Sequence, residues 1–380
     1  MKKSLLKNNA VQTLLASLVC IVLGLFLGYL VLLLINPDGA GEAIKTVIQN
    51  FWTYKRPASQ LKYLGNTLVK TAPLLMCALS ILFSYKVGLF NIGAAGQYCV
   101  GAALSLYAAL GWGWGWLPCM LLAIAGGALL AAVSGLLKSY CNVSEVISGI
   151  MLNWIVLYLT NMLLTLVKED TSPYTKVLAN TNPSAVLPSL GLGALFNKNQ
   201  YVGLAIPLAI VMAFVVWIVL DKTRFGYELK ATGFNKHAAK YCGMAEKRNV
   251  ILSLMISGAL AGLGAAMLYL TSYEQWQCSS SSVPAMGFNG IAAAFLGGLN
   301  PIGSILASFF IQHITAGGAY VDKSMYCAQI SDLISALIIY LCGFVLFMKT
   351  GMSKAASRRE EKAIAKQKAL AKTREGGEQK

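Results

Sequence analysis

The chain has 380 residues, of which 57% are hydrophobic and only 12% are charged, and its mean hydropathy is +0.62. A typical soluble domain has about 25% charged residues, so the composition excludes an ordinary soluble protein and indicates an integral membrane protein. The formal net charge is +16, and ten basic residues lie in residues 349–380. We interpret this tail as a solvated segment near anionic membrane lipid, and not as a nucleic-acid-binding segment.

Apolar runs bounded by glycine, proline, asparagine or charge predict ten spans in an all-α polytopic membrane protein. The predicted spans are residues 11–35, 66–83, 92–110, 117–137, 146–167, 201–220, 250–270, 288–299, 301–317 and 328–348. The eighth is too short for a straight crossing, so we expect it to be tilted, broken or re-entrant. The first run is longer than the apolar core of a signal peptide, which predicts a retained helix.

Basic residues are distributed unevenly between the two ends of these spans. Predicted inner segments, including both termini, contain 22 of the 31 Lys and Arg residues, predicted outer segments contain eight, and Lys70 lies within the second predicted span. The positive-inside rule therefore predicts a multi-pass protein of the cytoplasmic membrane with both termini in the cytosol. We divide the chain into a transmembrane domain, residues 1–348, with a cytoplasmic loop at 221–249, and a basic cytoplasmic tail, residues 349–380.

The sequence has few residues suited to catalysis or metal binding. It contains no GxxxxGK[ST] phosphate loop, no catalytic constellation and no metal-ligand spacing, so we expect no enzyme activity, cofactor or metal. The cysteines Cys278 and Cys327 fall in predicted outer loops, where a disulfide is one interpretation. Ion-coupled carriers usually need buried carboxylates, and Asp332 is the one fair candidate within a span. The energy for transport is therefore expected to come from another chain.

Several amides lie in or beside the apolar runs. Asn91 and Asn289 each follow a phenylalanine before a small-residue segment, where they could cap a helix or line a solute pathway. Gln97 and Asn153, like Asn161, lie inside spans, where an unsatisfied amide costs several kcal/mol. Each therefore needs a neighbouring helix or a wet pathway, and both interpretations stay open.

Two further patterns concern helix packing. The repeated Phe-Asn pair predicts that spans two to five and seven to ten form an inverted repeat. Gly258 and Gly262 form a GxxxG pair that predicts close helix packing, and the run 297–301, GGLNP, predicts a turn.

The loop 221–249 is long, basic and amphipathic, and NKHAAKYCGM predicts a short helix within it. Residues 237–243, HAAKYCG, resemble the coupling loop of ABC-importer permeases, in which Glu-Ala-Ala is followed three residues later by Gly. Here Ala238, Ala239 and Gly243 match the pattern, while His237 replaces the glutamate and the usual downstream Leu-Pro is missing.

Flanking segments resemble the simple-sugar and nucleoside branch of that family. The similar segments are TRFG at 223–226, ATGFN at 231–235, SGALAGLGAA at 257–266, GLFNIGAAGQ at 88–97, NVSEVISGIMLNW at 142–154 and GFNGIAAAFLGGLNPIG at 287–303. They run in the family's order over roughly residues 66–310. The long outer segment 36–65 is similar to that of the larger permease of nucleoside systems, which favours nucleosides over ribose or galactose.

The resemblance implies a permease subunit that works with several partners. These are ATP-binding subunits, a second permease that is identical or paralogous, and an extracellular substrate-binding lipoprotein. It implies coupling to the ATPase through Gly226, His237, Ala238, Ala239 and Gly243. Among the amides described above, Asn91, Gln97, Asn153 and Asn289 are our candidates for the substrate pathway. A branched-chain amino-acid ABC permease and a stand-alone secondary carrier are the alternatives.

Overall fold

The computed structural model describes residues 9–322, 324–326, 333–334, 336–337, 340–341, 343–344, 347–348, 350–351 and 354. The helices are α1 (Asn9–Ile35), α2 (Ala40–Gln49), α3 (Pro57–Tyr85), α4 (Ala94–Leu110), α5 (Trp116–Cys141), α6 (Glu145–Thr165), α7 (Leu178–Thr181), α8 (Leu192–Leu195), α9 (Ala205–Lys222), α10 (Arg224–Phe234), α11 (Lys236–Tyr241), α12 (Glu246–Tyr269), α13 (Ala285–Leu296) and α14 (Pro301–Gly318). No β-strand occurs among these residues. The predicted all-α polytopic class is confirmed.

Six helices are long and apolar enough to cross a membrane, as judged by length and composition. They are the Leu15–Ile35 part of α1, together with α3, α5, α6, α9 and α12. Helices α4 and α13 are apolar but shorter. Helix α13 has 12 residues, which corresponds to about 18 Å at the rise of an α-helix. This length agrees with the expectation for the eighth span, and the total of ten spans stays a prediction.

Helix α3 forms the centre of the bundle. Every residue from Thr71 to Ser84 is buried, and α9, α12, α13 and α14 all pack against this helix. A helix that is apolar on every side is expected in a protein interior rather than against lipid. Helix α12 is the second central element, because it packs against α3, α4 and α5.

Glycines bring the backbones of α5 and α12 together. A Cβ added at Gly258 would lie 2.2 Å from the carbonyl oxygen of Gly127, and one at Gly262 would lie 2.3 Å from that of Ala123. Real Cβ atoms do not approach an oxygen this closely, so larger side chains would separate the two helices. The close packing predicted for Gly258 and Gly262 is confirmed.

Connecting segments gather at two opposite ends of the bundle, which we call the loop end and the outer end. At the loop end, the 84–93 turn contacts α10 through Gly88 and Gly233, and Tyr85 contacts Phe295. At the outer end, the Asn182 side chain donates to the Trp114 carbonyl at 2.9 Å. This grouping agrees with the alternation of the predicted spans.

Some predicted boundaries differ from the structure. The second predicted span begins at residue 66, whereas α3 already begins at Pro57, whose fixed φ suits the first position of a helix. The outer segment 36–65 therefore contains α2, a 3₁₀ turn and the first two turns of α3. The turn predicted at 297–301 is confirmed, since Asn300 caps α14 by accepting from the Ile302 and Gly303 amides.

Some predictions fall outside the described residues. Cys327, Asp332, most of the tenth predicted span and nearly all of the tail 349–380 lie there. The Cys278–Cys327 disulfide, the inverted repeat and the division at residue 348 stay predictions.

The orientation of the chain can be tested with two native cysteines. Cys141 and Cys242 are exposed at the loop end, which the positive-inside rule places in the cytosol. A membrane-impermeant maleimide should label them only after cells are permeabilised, as measured by the signal lost in a Cys141→Ser/Cys242→Ser variant. Thr171→Cys in that background, exposed at the outer end, should react in intact cells. The reverse pattern would overturn the orientation.

Candidate functional site

The most polar part of the interior lies at the start of α4. Asn91 Nδ2 donates to Gln97 Oε1 at 2.8 Å, and Gln97 Nε2 donates back to Asn91 Oδ1 at 3.1 Å. Both side chains are buried. Asn91 therefore does not cap α4, and that interpretation is wrong: its amide bonds to other side chains, and the N-cap residue is Gly93, which has no side chain that could cap the helix.

Serines extend this amide pair to two more helices. Asn91 Nδ2 also donates to the Ser257 hydroxyl of α12 at 2.6 Å. Ser257 in turn donates to the Ser80 carbonyl of α3 at 2.7 Å, and the two serine hydroxyls are 2.9 Å apart. We call Ser80, Asn91, Gln97 and Ser257 the buried network. It joins α3, α12 and the start of α4 by hydrogen bonds between buried side chains.

The first turn of α4 is capped from another helix. Asn153 of α6 accepts the Gly96 amide at 2.8 Å and donates to the Ile92 carbonyl at 3.1 Å. Helix α6 comes close because residues 93 and 96 are glycines. A Cβ at Gly96 would lie 2.7 Å from Asn153 Oδ1, and a Cβ at Gly149 would lie 2.8 Å from the Gly93 nitrogen. The glycines thus create the space in which Asn153 satisfies the helix end.

The other two amides have different surroundings. Asn161 donates to the Ser280 carbonyl and accepts from the Trp276 indole, both at 2.8 Å. Asn289 is half-buried inside α13 and has no hydrogen-bond partner within the described part of the chain. The capping interpretation is therefore wrong for Asn289 too, because Asn289 is the fifth residue of α13 and the N-cap residue of that helix is Pro284. Roles for Asn91, Gln97, Asn153 and Asn289 in a substrate pathway stay predictions.

An ion pair joins the middle of α3 to the loop that follows α12. Lys70 Nζ is 2.5 Å from Glu274 Oε1, and the two side chains are 31% and 36% exposed. Lys70 Nζ also lies 5.4 Å from the centroid of the Tyr273 ring, a cation–π contact. Sequence reasoning identified Lys70 as a charge within a span but missed Glu274, because its loop follows α12 and only the fold brings the two together.

Tyrosines surround this ion pair. Tyr54 and Tyr63 stack with ring centroids 4.1 Å apart, and Tyr320 meets their edges at 5.6 and 5.8 Å. Tyr201 meets Tyr273 edge-on at 5.1 Å. Burial, with a smaller effect of neighbouring Tyr63, raises the pKa of Tyr320 to about 12. This hydroxyl therefore stays neutral and available as a hydrogen-bond donor at physiological pH.

Two capped helices form the loop that follows α9. Thr223 Oγ1 accepts the Gly226 amide at 3.1 Å to cap α10, and Asn235 Oδ1 accepts the Ala238 amide at 3.0 Å to cap α11. Gly226 packs against α9, since an added Cβ would lie 2.2 Å from the Val219 carbonyl oxygen. The short helix predicted in this loop is confirmed as α11.

The surface of α11 is mostly open. His237 and Ala238 are exposed and Ala239 is buried, while Gly243 has a φ of +77° with open space around it. Phe234 and Tyr241, which flank α11, are 92% and 95% exposed. Sequence reasoning did not single out these two aromatics, although an aromatic at each end of a short basic helix was a usable signal for a docking surface.

The buried amide pair can be tested by substitution. Gln97→Leu should lower the free energy of unfolding by about 1–3 kcal/mol, because Asn91 Oδ1 loses its donor in a dry interior. Thermal unfolding of the purified protein in detergent measures this. Asn289→Leu is the matched control, since that amide has no bond to lose within the described residues. Equal stability of Gln97→Leu and the native protein would contradict the assigned network.

Comparison with known proteins identifies the family to which this chain is similar. Residues 63–343 match the family described as branched-chain amino acid transport system / permease component. The chain is 32% identical to the guanosine ABC transporter permease protein NupP of Bacillus subtilis, over 86% of this chain and 92% of that protein. It is 30% identical to the nucleoside ABC transporter permease protein NupB of Lactococcus lactis, over 94% of this chain and 98% of that protein.

A third relative extends the range of named substrates. The glucose ABC transporter permease protein TsgB13 of Haloferax volcanii is 29% identical, over 80% of this chain and 82% of that protein. No solved structure matches the chain. With the family match covering most of its length, this multi-pass membrane chain belongs to the family of ABC transport system permease components.

Proposed function

We propose that the chain is the membrane-spanning permease subunit of an ABC importer that translocates nucleosides, with simple sugars as related cargo. The observation that carries this proposal is the near-full-length similarity to permeases named for guanosine and nucleosides. The interior agrees with an uncharged cargo, because its polar groups are amides and hydroxyls that bond neutral solutes well. In the described part of the chain, no carboxylate lies in the middle of a long apolar helix, which disfavours an ion-coupled secondary carrier.

A branched-chain amino acid is the second candidate. The family description names such substrates, and Lys70 and Glu274 present opposite charges that a zwitterion could pair with. These two side chains are already paired with each other, however, and a zwitterion would have to separate them. We therefore place nucleosides first.

The partners of the chain follow from the same assignment. ATP hydrolysis takes place on separate ATP-binding subunits, and an extracellular lipoprotein delivers the solute. Two permease proteins from Bacillus subtilis, NupP and NupQ, and two from Lactococcus lactis, NupB and NupC, are all similar to this chain. Such pairs support a paralogous second permease as the partner within the membrane.

We assign the ATPase-docking role to α10 and α11. Gly226, His237, Ala238, Ala239 and Gly243 shape this surface, and the exposed aromatics Phe234 and Tyr241 serve as its anchors. Buried aromatic anchors commonly dominate the energy of a protein interface. The basic residues of the loop would form the polar rim around them.

Movement at this surface has two physical routes to the buried network. Asn249 of α12 donates to Thr232 of α10 at 3.0 Å, and α12 carries Ser257 two turns further on. In addition, a Cβ at Gly233 would lie 2.7 Å from the Val87 backbone. Helix α10 therefore packs closely against the turn that leads to Asn91. A shift of α10 would thus reach α12 and the start of α4, and through them the buried network.

The substrate assignment is tested by uptake. The complete transporter, produced in cells that lack nucleoside uptake, should accumulate radiolabelled guanosine and uridine in an ATP-dependent manner. Ribose uptake without nucleoside uptake would move the assignment to sugars, and uptake of leucine alone would establish the second candidate. Cells carrying the empty vector are the control.

The docking assignment is tested by removing the two aromatic anchors. Phe234→Ser/Tyr241→Ser should weaken copurification of the ATP-binding subunit at least about tenfold, because losing an interface anchor costs about 2 kcal/mol or more. Uptake should fall in parallel, while the amount of permease in the membrane stays unchanged. Tyr174→Ser removes an exposed aromatic at the outer end and should have no effect. Normal copurification of the double variant would refute the assignment.

A further inference from the structure

The outer end of the bundle carries a cluster of aromatic and charged side chains on the central helix. It consists of Tyr54, Tyr63, Lys70, Tyr273, Glu274 and Tyr320, which we call the outer cluster. All six are partly exposed. Tyr63 and Lys70 lie two turns apart on α3, so they share one face of that helix. Tyr273 and Glu274 follow α12, and Tyr320 follows α14.

These side chains form one connected group. Lys70 links Glu274 to the Tyr273 ring. Tyr63 stacks on Tyr54 and meets the Tyr320 ring, and it lies on the same face of α3 as Lys70. The cluster therefore unites segments that are distant in sequence above the buried centre of α3.

Stability alone is a poor explanation for this arrangement. A partly exposed ion pair adds little to folding stability, because water competes for both charges. The pair also leaves capacity for other partners, since Glu274 has further lone pairs and Lys70 has further donor hydrogens. Such a group is suited to binding a solute that arrives from the outer side.

A second observation concerns Tyr98, a buried side chain near the end of α12. The Tyr98 side chain of α4 is only 1% exposed, and its hydroxyl has no hydrogen-bond partner within the described residues. The Tyr98 ring lies 6.2 Å from that of Tyr269, the last residue of α12, which is followed by the loop that contains Glu274. A buried hydroxyl normally bonds to something, so a polar group of a solute passing between α3, α4 and α12 would satisfy it.

From these observations, and resting on the proposed function, we propose that the outer cluster is a binding site for the intact nucleoside. The tyrosine rings stack on the planar base. Glu274 accepts hydrogen bonds from the ribose hydroxyls, and Lys70 donates to them. Stacking on an aromatic ring tolerates different bases, because every base has a flat π-face. An acidic side chain that accepts from ribose hydroxyls is an established means of recognising a nucleoside. Tyr98 is the next polar contact on the inward side.

The proposal is tested by photolabelling the complete transporter in lipid nanodiscs with tritiated 8-azidoadenosine. Labelled permease peptides should contain residues of the outer cluster, and adenosine should compete at lower concentration than 2′,3′-dideoxyadenosine. Glu274→Gln should reduce this preference about tenfold, because the discrimination comes from bonds to the missing hydroxyls. Tyr63→Leu should weaken labelling, whereas Tyr63→Phe, which keeps the ring, should retain it.

Two further variants separate binding from folding. Lys70→Glu/Glu274→Lys keeps an ion pair, so it should fold normally yet lose the preference for adenosine over the dideoxy compound. Lys138→Met/Glu145→Gln removes a similar pair at the loop end, 2.8 Å apart, and should keep the native preference. Native preference in all the cluster variants, or label confined to peptides elsewhere, would overturn the site. Uptake of no nucleoside by the native transporter would instead refute the proposed function, and leucine competition for the label would indicate a zwitterion site.

Discussion

The reciprocal hydrogen bonds between Asn91 and Gln97 are the constraint on which the interior depends. Two primary amides buried among apolar helices destabilise a fold unless each finds both a donor and an acceptor. Their mutual pairing meets most of that demand, and Ser257 accepts the remaining donor of Asn91. This arrangement fixes the positions of α3, α4 and α12 relative to one another. Because Asn91 bonds to Gln97 and Ser257, it does not cap α4. Asn153 of α6 accepts the Gly96 amide and caps that helix instead.

The glycines follow from the same constraint. Asn153 reaches the Gly96 amide only because residues 93, 96 and 149 have no side chains in the gap between α4 and α6. On the other side of the bundle, Gly127 and Gly258 bring α5 against α12 in the same way. In a membrane, where lipid and side chains are equally apolar, close backbone contact and interhelical hydrogen bonds are the main sources of association. The polar network and the glycine contacts are therefore two parts of one packing solution.

The sequence predicted well what is local and poorly what depends on distant segments. Apolar run lengths indicated the all-α class, Asn300-Pro301 indicated the turn before α14, and the composition of 235–244 indicated α11. The capping of α4 was wrongly assigned to Asn91 because a nearby asparagine is the usual cap, whereas Asn153 comes from another helix. Glu274 was missed because its loop has no apolar context that marks it as the partner of Lys70. The exposure of Phe234 and Tyr241 depends on how α10 and α11 pack, which periodicity does not define.

The distribution of charge agrees with the proposal that this chain translocates an uncharged solute and receives its energy from a separate subunit. A full charge in the middle of a bilayer is costly, so ion-driven carriers retain buried carboxylates despite that cost. In the described part of this chain, the carboxylates of the long helices lie at helix ends, such as Glu145 and Glu246, and Lys70 of α3 is paired with Glu274 of the loop after α12. Bonds to amides and hydroxyls can form and break along a pathway without moving charge, but they provide no ion gradient to drive transport. In the proposed mechanism, the free energy enters through the loop end, where α10 touches both α12 and the turn before Asn91.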